Sequence, residues 1–221
     1  MALDVLYEDN HLLVLNKPAG IATQGGAVGV PTLLALAKAY IKQKYHKPGN
    51  VYLGTVSRLD SAVTGVVVFA RTSKAAARLS EQFRSRAARK VYWAVVSSKP
   101  ADAQTCVDWL VKDESRHVMR VADCETAGAQ MARLRYHHKQ RLARGWLLEI
   151  ELETGRKHQI RAQLSARGSP IVGDRKYGSR KAFAGGIALH GRLLELAHPT
   201  RPEKLTLVAP LPPTWRRFGI E

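Results

Sequence analysis

Residues 57–65 carry the side chains best suited to chemistry in this chain of 221 residues. Arg58 lies two residues before Asp60, in a polar turn that leads into the apolar run of residues 66–70. A turn beside a buried strand is a common position for a catalytic group, because the rigid strand holds the turn in place. On its own, the pair of charges would equally suit a weak surface salt bridge. Asp60 is the first candidate for a nucleophile or a base.

An aspartate with such a role must stay ionised, and a neighbouring guanidinium would favour its charged form. Arg156 and Arg161 lie far along the chain, in a polar segment that leads into a short predicted helix. Either arginine could fold back onto Asp60, and the residues alone leave both possibilities open.

The composition points to a polyanionic partner. Lys and Arg number 35 and Asp and Glu number 18, which gives a net charge of +17. Such a surface attracts polyanions, most commonly RNA or DNA. Residues 74–90 are predicted to form a helix whose charge is strongly unbalanced, with the single acid Glu81 among these cations: Lys74, Arg78, Arg84, Arg86, Arg89 and Lys90. We expect this helix to contact RNA phosphates.

Other classes of protein are excluded by what the sequence lacks. It has no apolar run long enough to span a bilayer, and its start does not have the features of a secretory signal peptide. Cys106 and Cys124 lack the CxxC spacing of a zinc site and do not form a disulfide framework. We expect a cytoplasmic protein with reduced thiols, no metal and no membrane partner.

The hydrophobic patterns predict an α+β fold around an antiparallel or mixed sheet. Short strands are expected at residues 5–7 and 12–15, and helices capped by Thr32 and by Thr72 or Ser73. Residues 129–136 and 146–153 are expected to form an antiparallel pair, joined by a basic hairpin loop at residues 137–145. The length suits a single domain over residues 1–221, with two lobes possible.

An ordered series of motifs resembles the RluA-type family of pseudouridine synthases. The series comprises residues 13–20, Arg58-Leu59-Asp60 with Thr64-Gly65, residues 90–94, Thr154-Gly155-Arg156-Lys157-His158-Gln159-Ile160-Arg161, and the later segments 173–178, 189–190, 198–199 and 209–212. Each motif is weak alone, but so many in order at suitable spacing are hard to explain by chance.

The resemblance implies a pseudouridine synthase fold, a largely antiparallel mixed sheet in two lobes with flanking helices and a central RNA-binding cleft. It implies isomerisation of uridine in ribosomal or transfer RNA to pseudouridine, without a cofactor or a metal. Asp60 would attack C1′ of the target nucleotide or otherwise assist departure of uracil. Tyr92 would stack on the base and take part in proton transfer from C5, and Arg161 would pair with Asp60.

The resemblance also implies substrate-binding roles. Arg58 would enter the RNA stack where the target nucleotide has been flipped out, a step that costs a few kcal/mol. Ile160 would pack against the uracil. The full predicted set of substrate-binding residues is Ser57, Arg58, Thr64, Lys90, Arg156, His158, Gln159 and Ile160.

Two departures from the family pattern leave alternatives open. Ser57 stands where the family usually has histidine, and Val63-Thr64-Gly65 where it usually has Thr-Ser-Gly or Thr-Thr-Gly. A second hypothesis is therefore an RNA-binding or ribosome-assembly factor with weakened catalysis, and a third is a nucleobase glycosylase that releases the base. We expect a monomer without a separate N-terminal RNA-binding domain.

Overall fold

The computed structural model describes residues 2–26 and 29–220. The chain divides into two compact units, the first made of Met1–Arg89 and Gly191–Pro212 and the second of Lys90–His190 and Pro213–Glu221. The predicted single domain begins at Met1 and ends at Glu221, and both of these residues lie outside the described ones. One catalytic domain without a separate N-terminal RNA-binding domain stays a prediction.

The described chain contains more strands than helices. In chain order, its elements are β1 (Val5–Glu8), β2 (Leu12–Lys17), α1 (Leu33–Lys44), β3 (Gly54–Thr55), β4 (Thr64–Ala70), α2 (Ser73–Arg84), β5 (Arg89–Val96), β6 (Ala103–Asp113), β7 (Val118–Ala122), β8 (Gln130–Leu142), β9 (Gly145–Leu152), α3 (Gln159–Ala166), a 3-10 helix (Arg175–Tyr177), β10 (Leu189–Ala197), β11 (Lys204–Val208) and a 3-10 helix (Pro213–Phe218). The predicted α+β class is confirmed.

The first unit is built around β4, in which every residue is buried. β4 pairs antiparallel with β2 and β3, β2 pairs antiparallel with β1, and β10 lies on the other side of β4 and pairs antiparallel with β11. Val66 and Val68 of β4 pack with Ala75 and Leu79 of α2 in one hydrophobic cluster. Burial of this apolar run holds β4 in place. The turn that carries Asp60 ends where β4 begins and is therefore anchored by it.

Both helices of the first unit begin at the predicted caps. The Thr32 Oγ1 accepts a hydrogen bond from Ala35 N at 3.2 Å, and the Thr72 Oγ1 accepts one from Ala75 N at 3.2 Å. Each bond satisfies a backbone donor that has no partner inside the helix. Of the two residues predicted to cap the second helix, Thr72 is the cap.

The predicted helix over residues 74–90 was too long. α2 ends at Arg84, and Arg86 has a φ of 64°, a left-handed conformation that a helix cannot continue through. Arg89 and Lys90 belong instead to β5. The charge of the helix is also more balanced than expected, because Arg84 pairs with Glu81 on its own exposed face.

The second unit contains antiparallel strands in the order β5, β9, β8, β6, β7. The predicted basic loop at residues 137–145 was wrong, because β8 continues to Leu142 and only residues 143–144 form the turn. Two of these basic residues contact a glutamate of β9 in the strand. Lys139 pairs with Glu149 at 3.2 Å, and His137 lies 3.8 Å from the same carboxylate.

Two further properties concern the chain as a whole. Nowhere in residues 2–26 or 29–220 is there a helix long and apolar enough to cross a membrane, or a group of three His, Cys, Asp or Glu residues that could hold a metal. Cys106 is buried and Cys124 is exposed, and both are free thiols. Burial raises the pKa of Cys106 to about 11, which keeps this thiol protonated and unreactive at neutral pH.

Asp9 organises the turn between β1 and β2. Its Oδ1 accepts hydrogen bonds from the N–H groups of His11 at 2.8 Å and Leu12 at 2.7 Å, while its Oδ2 contacts His198 Nε2 at 2.8 Å and Arg201. Burial raises the pKa of Asp9, but the bonds from His11, His198 and Leu12 together outweigh it, so that the pKa is lowered.

We expect Asp9→Asn to lower the free energy of unfolding at pH 7 by about 2 kcal/mol, because an amide N–H₂ would face Arg201 where Oδ2 accepted bonds. The folded protein holds Asp9 ionised at lower pH than the unfolded chain does, so this stabilisation is present above about pH 4 and is lost as the pH falls further. Urea unfolding at pH 7 and pH 3 measures this. The difference in the free energy of unfolding between wild type and Asp9→Asn should be smaller at pH 3 than at pH 7. An equal difference at both pH values would contradict the stabilising role of the ionised Asp9 carboxylate.

Candidate active site

Asp60 lies in the turn that immediately precedes β4. Its neighbours Leu59 and Val63 are buried, whereas the Asp60 side chain is half-buried and the Ser61 residue is exposed. The turn closes through a hydrogen bond from Val63 N to the Asp60 carbonyl at 3.0 Å. The turn thus combines anchoring apolar residues on either side with a carboxylate that solvent or a substrate can reach.

Gly65 explains why the chain can enter β4 directly after this turn. Its φ is +120°, and a Cβ at this position would lie 2.3 Å from the carbonyl oxygen of Gly191 in β10. No side chain fits so close to a backbone, and the dihedral itself disfavours residues other than glycine. Close approach of β10 to the start of β4 therefore requires glycine here.

Lys17 lies opposite Gly65 in the register of β2 and β4, and its side chain is completely buried. Its Nζ donates hydrogen bonds to the carbonyl oxygens of Pro18 at 2.8 Å, Ile21 at 2.7 Å and Ser61 at 3.1 Å. An ammonium group has three donors, and all three have a carbonyl partner. Lys17 therefore joins the loop after β2 to the turn that carries Asp60.

Lys17 and Asp60 also interact through their charges. Burial lowers the pKa of Lys17 to about 8, and the negative charge of Asp60 acts in the opposite direction. In the first unit, Lys17 is thus a charged neighbour of the candidate catalytic group.

Thr23 makes a second connection to this turn, at Leu59. The buried hydroxyl of Thr23 donates to the Leu59 carbonyl at 2.9 Å and accepts from the Leu59 N–H at 3.1 Å. Gly20 N adds a bond to the Ser61 carbonyl at 2.8 Å. The segment of residues 17–23 therefore forms hydrogen bonds to the backbone groups of Leu59 and Ser61, the residues on either side of Asp60. These bonds hold the position of Asp60 rigidly.

The other predicted residues of this unit differ in their exposure. Arg58 is exposed and Ser57 is half-buried, so both are available to a ligand. Thr64 is buried, with 4% of its surface accessible, which favours a role inside the protein over a direct contact.

The second unit fixes Arg161 on α3. Its Nε donates to Asp174 Oδ2 at 2.7 Å and its Nη2 donates to Asp174 Oδ1 at 2.9 Å, a two-pronged ion pair in which both side chains are buried. The guanidinium also lies over the ring of Tyr177, with Cζ 4.8 Å from the centroid. Arg161 is therefore held by a carboxylate and an aromatic ring at once.

His158 joins the same cluster from the start of α3. Its Nδ1 lies 2.8 Å from the Tyr177 hydroxyl, which also accepts a hydrogen bond from Met119 N at 2.9 Å. The backbone of His158 is left-handed, with a φ of 51°. The contact with Tyr177 holds His158 in this strained conformation, and His158 thereby fixes the start of α3.

Gln159 is occupied by contacts within the protein. Its Oε1 accepts bonds from the Thr154 hydroxyl at 2.8 Å and from Arg156 N at 3.0 Å, while its Nε2 donates to the Arg133 carbonyl at 3.1 Å. These bonds tie the turn before α3 to β8. These contacts show that Gln159 helps to hold the start of α3 in place, and a direct contact between Gln159 and RNA stays a prediction.

The remaining predicted residues lie on β5, on α3 and in the turn before α3. Tyr92 and Lys90 are half-buried, and Tyr92 faces Ile150 of β9 in the strand register. Ile160 is buried, with 4% of its surface accessible. Arg156 is exposed, and its Nε donates to the Met131 carbonyl at 3.0 Å.

The structure thus describes two groups of residues, each within one unit. Asp60 belongs with Lys17, and Arg161 belongs with His158, Asp174 and Tyr177. The predicted grouping of Asp60, Tyr92 and Arg161 combines residues of both units and stays a prediction.

Sequence reasoning gave Lys17, Asp174 and Tyr177 no role of their own, although all three lie in quoted motifs. A lysine directly before proline at the end of an apolar strand was the available signal for Lys17.

Comparison with known proteins bears directly on this arrangement. Residues 11–166 match the model of a family described as RNA pseudouridylate synthase. This region includes the Asp60 turn, β5 and all of α3.

Individual proteins agree with the family match. The chain is 34% identical to the dual-specificity RNA pseudouridine synthase RluA of Escherichia coli K12, over 94% of this chain and 93% of that protein. It is 37% identical to the ribosomal large subunit pseudouridine synthase D of Xylella fastidiosa, over 95% of this chain and 66% of that protein. The solved structure of human RNA pseudouridylate synthase domain containing 4 aligns with a TM-score of 0.80 at 27% identity, covering 99% of this chain and 94% of that one.

Proposed function

This chain belongs to the RluA-type family of RNA pseudouridine synthases, and we propose that it acts on a uridine of ribosomal RNA. The predicted family and enzyme class are confirmed: the chain isomerises uridine in RNA to pseudouridine. Ribosomal RNA is the proposed substrate because a large-subunit synthase is among the relatives, at 37% identity. No observation favours the hypothesis of an RNA-binding factor with weakened catalysis.

The reaction rearranges one nucleotide and consumes nothing else. The glycosidic bond between N1 and C1′ breaks, a bond between C5 and C1′ forms, C5 loses a proton and N1 gains one. We assign the first step to Asp60, which attacks C1′ or assists departure of uracil. The observation that carries this assignment is a half-buried carboxylate in a turn held by Lys17 and Thr23.

Tyr92 and Arg161 are assigned by the family motifs, and their surroundings support the assignment. Tyr92 is half-buried on β5, a rigid strand from which a ring can serve as a platform for a flipped base. Arg161 is fixed by Asp174 and Tyr177, so its guanidinium is a positioned cation that needs little reorganisation to act on a charged group.

Arg58 is the proposed wedge that occupies the place of the flipped nucleotide. It is exposed, and it directly follows Ser57 in the turn that carries Asp60. A planar guanidinium can stack on bases and bind phosphate, which recovers part of the cost of flipping. Lys90, Arg156 and His158 would contact the RNA around it. We further propose that the protein acts as a monomer in the cytoplasm.

Mapping of pseudouridine in total RNA tests the choice of substrate. Cells that lack this gene should lose pseudouridine at one or a few positions of ribosomal RNA, and a plasmid copy of the wild-type gene should restore them. A copy with Asp60→Ala should not restore them. Loss confined to transfer RNA would overturn the proposal of ribosomal RNA without affecting the family assignment.

A further inference from the structure

A basic groove runs along the exposed side of α1 in the first unit. It has a volume of about 430 Å³ and is lined by Lys38, Ala39, Lys42, Gly49, Asn50 and Val51. Lys38 and Lys42 are one helical turn apart and therefore project from the same face. The small residues Ala39 and Gly49 leave the space between the helix and the following segment open.

The two lysines of this groove are cations without a partner among the described residues. Neither ammonium group has a hydrogen bond or ion pair with any residue in ranges 2–26 and 29–220, whereas that of Lys44, on the same helix, is bonded to Glu8 at 2.7 Å. No Asp or Glu occurs between Asp9 and Asp60 in the sequence. A cavity with free ammonium groups and no acid among its lining residues is complementary to an anion.

We propose that this groove, which we call the α1 groove, binds phosphate groups of the substrate RNA outside the nucleotide that reacts. The proposal rests on the proposed function, since it takes RNA as the anion. Lys38 and Lys42 would contact phosphodiester oxygens, and the Asn50 amide is a further donor. Ammonium groups bind phosphates without reading bases, so the α1 groove would position the RNA and leave base recognition to other residues.

The position of the α1 groove suits this role. The segment that forms its far wall leads within a few residues to Arg58, and the start of α1 is bonded through Leu34 N to the Thr23 carbonyl at 3.0 Å. Thr23 in turn holds Leu59. Tyr52, directly after the groove wall, has 52% of its surface exposed and offers a ring on which a base can stack.

A double substitution, Lys38→Gln with Lys42→Gln, tests the proposal. Glutamine keeps the helix propensity and removes both charges. The control is Lys112→Gln with Lys204→Gln, which lowers the net charge equally but removes lysines already paired with Glu114 and Glu195. The probe is an RNA transcript that contains a pseudouridylation site found by the mapping, with long flanking sequence. Binding to it is measured at several salt concentrations.

We expect the α1-groove variant to bind about tenfold more weakly than wild type and to flatten the plot of log affinity against log salt by about 1.4, that is about 0.7 per phosphate contact. The control should keep the wild-type slope. In turnover assays the variant should raise KM and leave kcat unchanged, since the Asp60 turn is not altered. An equal slope in variant and control would overturn the proposal and would favour an acidic protein as the partner of this groove.

The binding and turnover measurements test the α1 groove independently of the proposal that the substrate is ribosomal RNA. If the mapped sites lie in transfer RNA, the proposed function fails, but the same comparison on that transcript still tests the α1 groove. Wild-type binding with an unchanged slope in the variant would refute the groove alone.

Discussion

Asp60→Asn will form pseudouridine at least about 10³-fold more slowly than wild type while binding RNA with nearly the same affinity. Asparagine has the shape of aspartate but cannot act as a nucleophile or accept a proton at neutral pH. The bond that closes the turn uses the Asp60 carbonyl, which the substitution leaves in place. The defect should therefore appear in kcat, with little change in KM.

The measurement is single-turnover formation of pseudouridine on a transcript that contains the target site. Asp123→Asn is the matched control, because Asp123 is exposed, lies in a turn of the second unit and is assigned no role in the reaction. The control should retain wild-type rates. Circular dichroism should show that both variants are folded.

The outcomes of this experiment distinguish the remaining hypotheses. Full activity in Asp60→Asn would refute the proposed mechanism. Free uracil in the wild-type reaction would indicate a glycosylase, because the base would leave without forming the new bond to C1′. RNA binding without isomerisation in either protein would indicate a binding or assembly factor, and would place the functional change at Ser57 or Val63.

The Asp60 turn could be predicted from sequence because its signals are local. An apolar run of β-branched residues after a polar turn indicates a buried strand, although Thr64 and Gly65, predicted in the turn, are the first residues of β4. The helix caps at Thr32 and Thr72 are equally local, since each depends on one hydroxyl and an N–H three residues later. For the same reason the ordered motifs were enough to predict the family.

The structural features that could not be predicted from the sequence depend on contacts between distant segments. His137 and Lys139 of β8 were predicted in a loop, because their partner Glu149 on β9 becomes a neighbour only through the strand register. The end of α2 depends on the left-handed Arg86, which no residue pattern marks. The pairing of Arg161 with Asp174 required the fold of the segment after α3.

Lys17 shows the same limit most clearly, because lysine is rarely buried and its default interpretation is a solvated side chain. Only the structure shows that its ammonium group is enclosed by three carbonyl oxygens and interacts with Asp60. A buried, fully bonded charge is costly to disrupt, since the groups left behind remain without partners. It follows that Lys17 should be among the residues most sensitive to substitution.

We expect Lys17→Met to lower the free energy of unfolding at pH 7 by about 3 kcal/mol. Methionine fills nearly the same volume but donates no hydrogen bond to the carbonyls of Pro18, Ile21 and Ser61. The turn that carries Asp60 also loses a support and a nearby cation, so kcat should fall by about 10². Lys47→Met is the control, since Lys47 is exposed, and it should change the stability by less than about 0.5 kcal/mol.

The pH dependence of stability tests the state of the Lys17 ammonium group directly. Its pKa is about 8 in the folded protein, whereas a solvated lysine of an unfolded chain has the ordinary pKa of 10.5. Between these values the unfolded chain binds more protons at Lys17 than the folded protein does. The contribution of Lys17 to the free energy of unfolding therefore rises with pH, by at most about 1.4 kcal/mol per pH unit.

Urea unfolding of wild type and Lys17→Met from pH 7 to pH 10 should show a stability difference that is constant up to about pH 8 and then widens. A difference that stays constant up to pH 10 would mean that the carbonyl oxygens hold the proton on Lys17 as firmly as water does.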